Sequence, residues 1–596
     1  MVETVGGSLK HDSAHKHVSG EAIYIDDMPE PVGTLHVYLG LSERAHAAII
    51  ATDLEAVRSA PDVVGVITAA DIPGENDVSP VGAHDEPLFA TTEVLFHGQP
   101  IFAVVAKTRA AARAACKLAK ISYQDRPFHL DVTSARKAGG DTVVTPMKLE
   151  RGQVDLALNA APLRLQGSMK IGGQDHFYLE SHIAFAIPGE DGDITVYSST
   201  QHPSEVQHMV AHILNVPNHA VTVEVRRMGG GFGGKETQSN LFAAVAALAA
   251  KKYGQAAKCR PDRDDDMIMT GKRHDFVVDF DVGFDHDGLI LGLDAVFGAR
   301  CGFSADLSGP VTDRALFHCD NAYFYPSVRA KSEPLRTHTV SNTAFRGFGG
   351  PQGTVAAERI IEEVAYAVGK DPLQIRKLNF YGIDERNITP YHQTISDNII
   401  HELVAELESS SDYTARRAEI LKFNATSPIL KRGIALTPVK FGISFTATWY
   451  NQAGALVHVY NDGSISLNHG GTEMGQGLFQ KVAQVVADTF GVSIDIIKIT
   501  ATNTAKVPNT SATAASSGTD LNGMAAKNAA STIKQRLLEF ASEKWQARPE
   551  NISFESGQVH IGHETISFAG LVKAAYMARV QLSATGFYKT PKIHWD

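Results

Sequence analysis

Residues 229–236 read Gly-Gly-Gly-Phe-Gly-Gly-Lys-Glu. A backbone with so few side chains can approach another group closely and aim its N–H groups at it. The flanks define what carries this loop. Val221-Thr222-Val223-Glu224-Val225 alternates like a strand, and Asn240 to Tyr253 is Ala/Leu-rich and helix-like. The loop meets all but the last position of the triphosphate pattern G-x-x-x-x-G-K-[ST]. Glu236 stands where a hydroxyl would hold Mg²⁺, and a carboxylate there repels a triphosphate. Taken alone, the glycine segment reads better as an ordinary turn with no ligand.

A second strand–loop–helix unit changes that balance. Val457 to Leu467 is predicted as a hairpin about Asn461-Asp462-Gly463, feeding His469-Gly-Gly-Thr-Glu-Met-Gly-Gln-Gly477 and a helix over Leu478 to Phe490. Between the two units lies Ser341-Asn-Thr-Ala-Phe-Arg-Gly-Phe-Gly-Gly-Pro-Gln352, with an arginine and two aromatics. Beyond them lies the hydroxyl-rich Thr510-Ser-Ala-Thr-Ala-Ala-Ser-Ser-Gly-Thr519. Two α+β modules gripping one ligand between their loops are expected.

A chain of 596 residues implies several domains. We expect an N-terminal α/β unit to residue 130, with strands near Thr34–Leu41 and Pro100–Ala106 and a helix near Ala110–Ala119. Residues 131–152 lose periodicity and read as a linker. A region 153–405 holds the first loop, a hairpin turning at Asp287-Gly288, a helix over Val355–Ala367 and another capped by Asp371-Pro372. A polar joint at Glu408–Asp412 leads to a region 406–596. The net charge of −11, with no basic block, argues against nucleic acid. The most apolar helical run, Leu241–Ala250, is too short to span a bilayer. The N-terminus lacks a secretory pattern, and Cys116, Cys259, Cys301 and Cys319 lack CxxC spacing. A reducing, cytoplasmic setting without resident iron–sulfur or zinc is expected. His11, His15 and His17 read as surface or hydrogen-bonding histidines rather than a metal site.

In combination, GGGFGGKE, TAFRGFGGPQ, HGGTEMGQG and the Ser/Thr/Ala tract resemble the molybdenum-binding subunit of the xanthine oxidase family, over essentially the whole chain. Gly20–Met28 and His97-Gly-Gln-Pro100 are similar to that family's N-terminal hammerhead domain. The implied fold is mixed α/β: a hammerhead followed by a two-part molybdenum cofactor-binding domain, in the bacterial arrangement with this subunit as a separate polypeptide. The resemblance implies a molybdopterin bearing molybdenum with oxo, sulfido and hydroxide ligands, held without a side-chain bond to the metal. Gln201, Phe232, Arg346 and Ala515 would surround the metal. Gly233, Gln476, Ala514, Ser516 and Thr519 would complete the cofactor contacts. Glu236 and Arg314 would contact a purine, clamped by Phe348 and Phe445 with Thr446 beside it. Aldehyde oxidases of the family do not keep that acid–base pair. Gly347 stands where copper-dependent carbon monoxide dehydrogenases place a cysteine.

The implied activity is oxidation of hypoxanthine and xanthine to urate, with water as oxygen source. Electrons would leave through iron–sulfur clusters and FAD on a partner chain to NAD, within a dimer of heteromers. The alternatives are an aldehyde or other N-heterocycle hydroxylase, or a truncated non-catalytic cofactor-binding module. The family's catalytic base is a glutamate in a Gly-Glu-Pro-Pro-like motif, and no such motif occurs here. The expectation is that a separate C-terminal fragment supplies that glutamate, or that it was lost.

Overall fold

The computed structural model describes residues 5–593. Its largest sheet has eight strands drawn from all three sequence regions. In spatial order they are Thr502–Asn503, Val221–Val225, Ile194–Ser198, Ala184–Pro188, Ala257–Cys259, Leu35–Leu41, Pro100–Ala106 and Val63–Ile67. The N-terminal unit therefore continues the sheet of the next region, through parallel pairing of Leu35 with Ala257. Both faces of this sheet are covered, so its strands are apolar throughout, as Pro-Ile-Phe-Ala-Val-Val-Ala over 100–106 is. One face packs on the helix Ser239–Tyr253, whose alanines let it lie close; Leu35, Val37 and Leu39 share that core with Val206, Phe242 and Ala246. The other face packs on the helix Arg109–Cys116.

A five-stranded sheet carries the predicted hairpin as Phe276–Phe284 and Ile290–Gly302. Helices Gly350–Val368 and Pro372–Asn379 pack on it, the second capped by the Asp371 carboxylate accepting from the Leu373 N–H. Helices Ile400–Ser410 and Tyr413–Thr426 form a hairpin whose turn includes the expected joint. Val404, Tyr413 and Leu436 pack into the core of the five-stranded sheet.

Residues 131–152 depart from the expected linker. Asp131 caps a helix over Val132–Lys137, and Lys148–Arg151 adds an edge strand antiparallel to Ser327–Arg336. The helix is too short for apolar periodicity to register; Val132 and Ala135 bury against Leu335.

The last region places Gln452–Val459 and Ile465–His469 in a four-stranded sheet under helices Leu478–Phe490 and Gly518–Trp545. Among the described residues no helix is long and apolar enough to cross a membrane.

Candidate active site

The loop 229–236 leaves the strand Val221–Val225 and is fixed by Gln201. The Gln201 side-chain oxygen accepts from the Gly233 N–H at 2.9 Å, and its amide nitrogen donates to the Thr513 carbonyl at 3.1 Å. The Gln201 and Lys235 backbones are joined at 2.8 Å, and Thr513 N–H donates to Gln201 O at 2.9 Å. One buried glutamine thus ties the first glycine loop to the hydroxyl tract 510–519. Thr513 in turn accepts from Thr472 N–H at 2.8 Å, and Met228 N–H donates to Glu473 O at 2.9 Å. The third loop joins through Arg346 N–H, which donates to Phe232 O at 2.8 Å. Ser444 N–H donates to Ala515 O, bringing in the segment with Phe445 and Thr446. Four loops far apart in sequence therefore meet at one place.

Glycine is required at two of these joints. Gly233 sits at φ +101°, and a Cβ there would lie 2.7 Å from Ala344 O. Gly349 sits at φ +92°, where a Cβ would lie 2.0 Å from Val311 O on the helix Ser308–Phe317. That close approach packs the loop bearing Phe348 onto the helix bearing Arg314.

Beneath the first loop, Lys235 is fully buried. Its Nζ donates to the Glu180 carbonyl and carboxylate at 2.8 and 3.1 Å, and burial lowers its pKa. The same carboxylate accepts from Gly229 N–H. His176 stacks on Phe345 at 4.5 Å and contacts Ala344 O at 2.7 Å. Burial pulls its pKa down to about 4, so it is neutral and donates Nε2–H.

Two features fit an anionic, polydentate ligand. Phe232, Phe348, Ala515 and Ser516 all adopt left-handed backbone, with φ of 56°, 52°, 55° and 55°. Such strain clusters where function holds it. The N–H groups of Gly231, Phe232, Ala515 and Ser516 take no partner among the described residues, which makes anion-binding corners. Arg346 is exposed and its guanidinium has no partner among the described residues. Ala514 is half-buried, and Thr519 is exposed in the first turn of the helix Gly518–Trp545. The two amides are more committed than expected. Gln476 is exposed, but its oxygen accepts from Met474 N–H and its nitrogen donates to Thr472 O. Gln201 and Gln476 each retain one N–H. The set fits a molybdopterin.

Glu236 is buried and none of the described residues donates to its carboxyl oxygens. Burial, with Glu205 and Asp306 nearby, pushes its pKa up to about 8. Arg314 donates to the carbonyls of Gly442 and Ser444 and leaves its Nε unpaired; burial lowers its pKa. Phe445 is pinned by Asn451 through two hydrogen bonds and lies 5.6 Å from the Tyr450 ring, with Thr446 half-buried beside it. Tyr450 in turn meets His202, the neighbour of Gln201.

His11 is a hydrogen-bonding histidine. Its Nε2 lies 3.3 Å from the Glu473 carboxylate, with Asp12 alongside. Asp12 is held by Arg226, and Glu473 accepts from the N–H groups of Gly475, Gly477 and Phe479. With its carboxylates engaged in this way, the group is a hydrogen-bonded joint that straps the N-terminal arm to the loop 469–477. Lys235, Thr513, Glu473 and His176 were not singled out from sequence. Their partners lie far away in the chain, so no local pattern marks them.

Comparisons with known proteins identify the domains. Residues 19–127 match the aldehyde oxidase and xanthine dehydrogenase a/b hammerhead domain. Residues 137–380 and 406–596 each match a molybdopterin cofactor-binding domain. The chain is 42% identical to xanthine dehydrogenase/oxidase of Mus musculus over 100% of its length, and 42% identical to xanthine dehydrogenase of Oryza sativa subsp. japonica over 99%. It spans 43% and 42% of those proteins, respectively. The fold is similar to quinoline 2-oxidoreductase from Pseudomonas putida 86, with TM-score 0.89 at 24% identity, covering 99% of this chain and 80% of that one. An aldehyde oxidoreductase from Desulfovibrio desulfuricans aligns with TM-score 0.86 at 21% identity, covering 99% of this chain and 64% of the other. From its domain matches and its whole-length identity to these relatives, the chain belongs to the xanthine dehydrogenase family of molybdopterin-binding proteins.

Proposed function

We propose that this chain is the cofactor- and purine-binding part of a molybdenum hydroxylase that converts hypoxanthine and xanthine to urate. The observations that carry the reading are a buried Glu236 at the end of the first glycine loop and a buried Arg314 on the helix Ser308–Phe317, which the Phe348 loop crosses closely at Gly349 and whose guanidinium bonds the Gly442 and Ser444 carbonyls just before Phe445. A neutral carboxyl offers one donor and one acceptor to a purine edge. Near neutral pH Glu236 is that neutral group. Arg314, fixed by two carbonyls, presents a cation to a purine oxygen and to negative charge developing on the ring. The two phenylalanines supply faces for a flat heterocycle.

Arg346, the free N–H groups at Gly231, Phe232, Ala515 and Ser516, and the spare amide hydrogens of Gln201 and Gln476 would hold the molybdopterin, with Gly233, Ala514 and Thr519 around it. When bound, that group supplies the two-electron oxidation. An iron–sulfur and FAD partner would take up the electrons, with NAD as the final acceptor. We assign the general base to a glutamate on a segment outside these 596 residues, since Glu236 is committed to the substrate.

The test is urate formation from xanthine by the assembled enzyme. Glu236→Ala is expected to raise KM about tenfold or more, in line with loss of a buried polar contact, with molybdenum content unchanged. Loss of the metal in that variant, or a parent enzyme that oxidises aldehydes and ignores purines, would overturn the reading.

A further inference from the structure

Asp306 lies in the turn that leads into the helix Ser308–Phe317, is fully buried, and adopts φ +37°. Its carboxylate is unusually loaded. Thr237 Oγ1 lies 3.2 and 3.0 Å from its two oxygens, Gln238 Nε2 donates at 2.6 Å, and Thr343 Oγ1 donates at 2.7 Å. The two threonine hydroxyls are also 3.1 Å apart. Thr237 follows Glu236 in the chain, Thr343 opens the loop that carries Arg346 and Phe348, and Arg314 is on the helix that Asp306 precedes. Gln238 extends the junction to Gly271 N–H at 2.8 Å. From the N-terminal unit, Asp85 accepts from Ala305 N–H at 2.8 Å and Glu86 accepts from Ser304 Oγ at 3.0 Å, so the same turn is clamped from behind.

We propose that Asp306 is a positioning residue for the substrate pocket: one carboxylate holds Glu236, Phe348 and Arg314 in register by bonding the segment that bears each. Its expected effect on purine turnover rests on the proposed function; its bridging role does not. A carboxylate accepts from all these donors, whereas an asparagine turns one oxygen into a competing donor and breaks at least one arm. Misplacing a bound heterocycle by about 1 Å costs on the order of 10²-fold in rate.

The test uses Asp306→Asn in the assembled enzyme and in the chain itself. In the enzyme, kcat/KM for xanthine is expected to fall about tenfold or more, through kcat as well as KM. Molybdenum content should hold, and turnover of a small aldehyde, which does not span Glu236 and Arg314, should be retained. Xanthine and aldehyde falling in step, or neither falling, overturns the proposal. In the chain, hydrogen exchange is expected to quicken over 236–239 and 343–348 and not over 472–477; an even rise, or none, overturns it. Should Asp306→Asn fail to fold, Thr343→Val removes one arm at constant volume. It should quicken exchange over 343–348, and an unchanged profile overturns the proposal. A parent enzyme inert to xanthine would sink the purine reading alone, because the exchange pattern still decides the role of Asp306.

Discussion

Glu236 ends a glycine loop as a buried carboxyl, and its protonation reports on that burial. The folded carboxyl keeps its proton up to about pH 8, whereas the unfolded one releases it near the ordinary value of 4.5. The native state therefore binds more protons between those limits. The stability it contributes is complete below the ordinary value and is lost progressively until about pH 8. Glu236→Gln cannot ionise and escapes the loss. Urea unfolding of variant and parent should therefore diverge in the variant's favour by at least about 1 kcal/mol between about pH 6 and about pH 8. A constant difference across that range would show that Glu236 ionises normally. Lys235, its neighbour, was invisible to sequence reasoning for a related reason: a lysine in a polar-looking loop gives no hint that Glu180, far upstream, buries with it.

At the scale of elements, the glycine loops are legible because their backbone demands are local. Gly233 and Gly349 occupy positive φ at close crossings, and no other residue meets both needs. Gly233→Ala should therefore cost about 1–3 kcal/mol, measured by denaturant unfolding. It should also separate Phe232 from Arg346, which exchange of the Arg346 amide would detect. The flanking strands and helices were equally legible, since Val221–Val225 alternates and Leu478–Phe490 repeats with a helical period. Short elements were not. The helix Val132–Lys137 spans under two turns, and the strand Lys148–Arg151 exists because Ser327–Arg336 offers it an edge. Likewise, that the Gln201 amide is already engaged follows from where the distant Thr513 carbonyl and Gly233 N–H arrive.

At the scale of the molecule, the N-terminal unit is not self-contained. Leu35, Val37, Leu39, Ile67, Val78, Leu88 and Phe89 sit in one core with residues of the first cofactor-binding domain. Residues 1–130 expressed alone should expose that face, self-associate and melt without cooperativity, as calorimetry and light scattering would reveal. A sharp, reversible transition in a monomeric fragment would contradict the shared core. None of this coupling can be read from the local pattern of 35–41, whose apolar run announces a buried strand but not its neighbour.

The pairing of Leu35 with Ala257 also has a consequence for biosynthesis. The partner strand follows about 220 positions later, so at about 5–20 residues per second it leaves the ribosome on the order of ten to forty seconds after the first. Throughout that interval the nascent polypeptide displays an apolar ribbon with an open hydrogen-bonding margin, the form most prone to promiscuous association. Successful production then depends on a holding chaperone or a low level of expression, and codon choices that delay residues 131–257 should lower the yield of native protein.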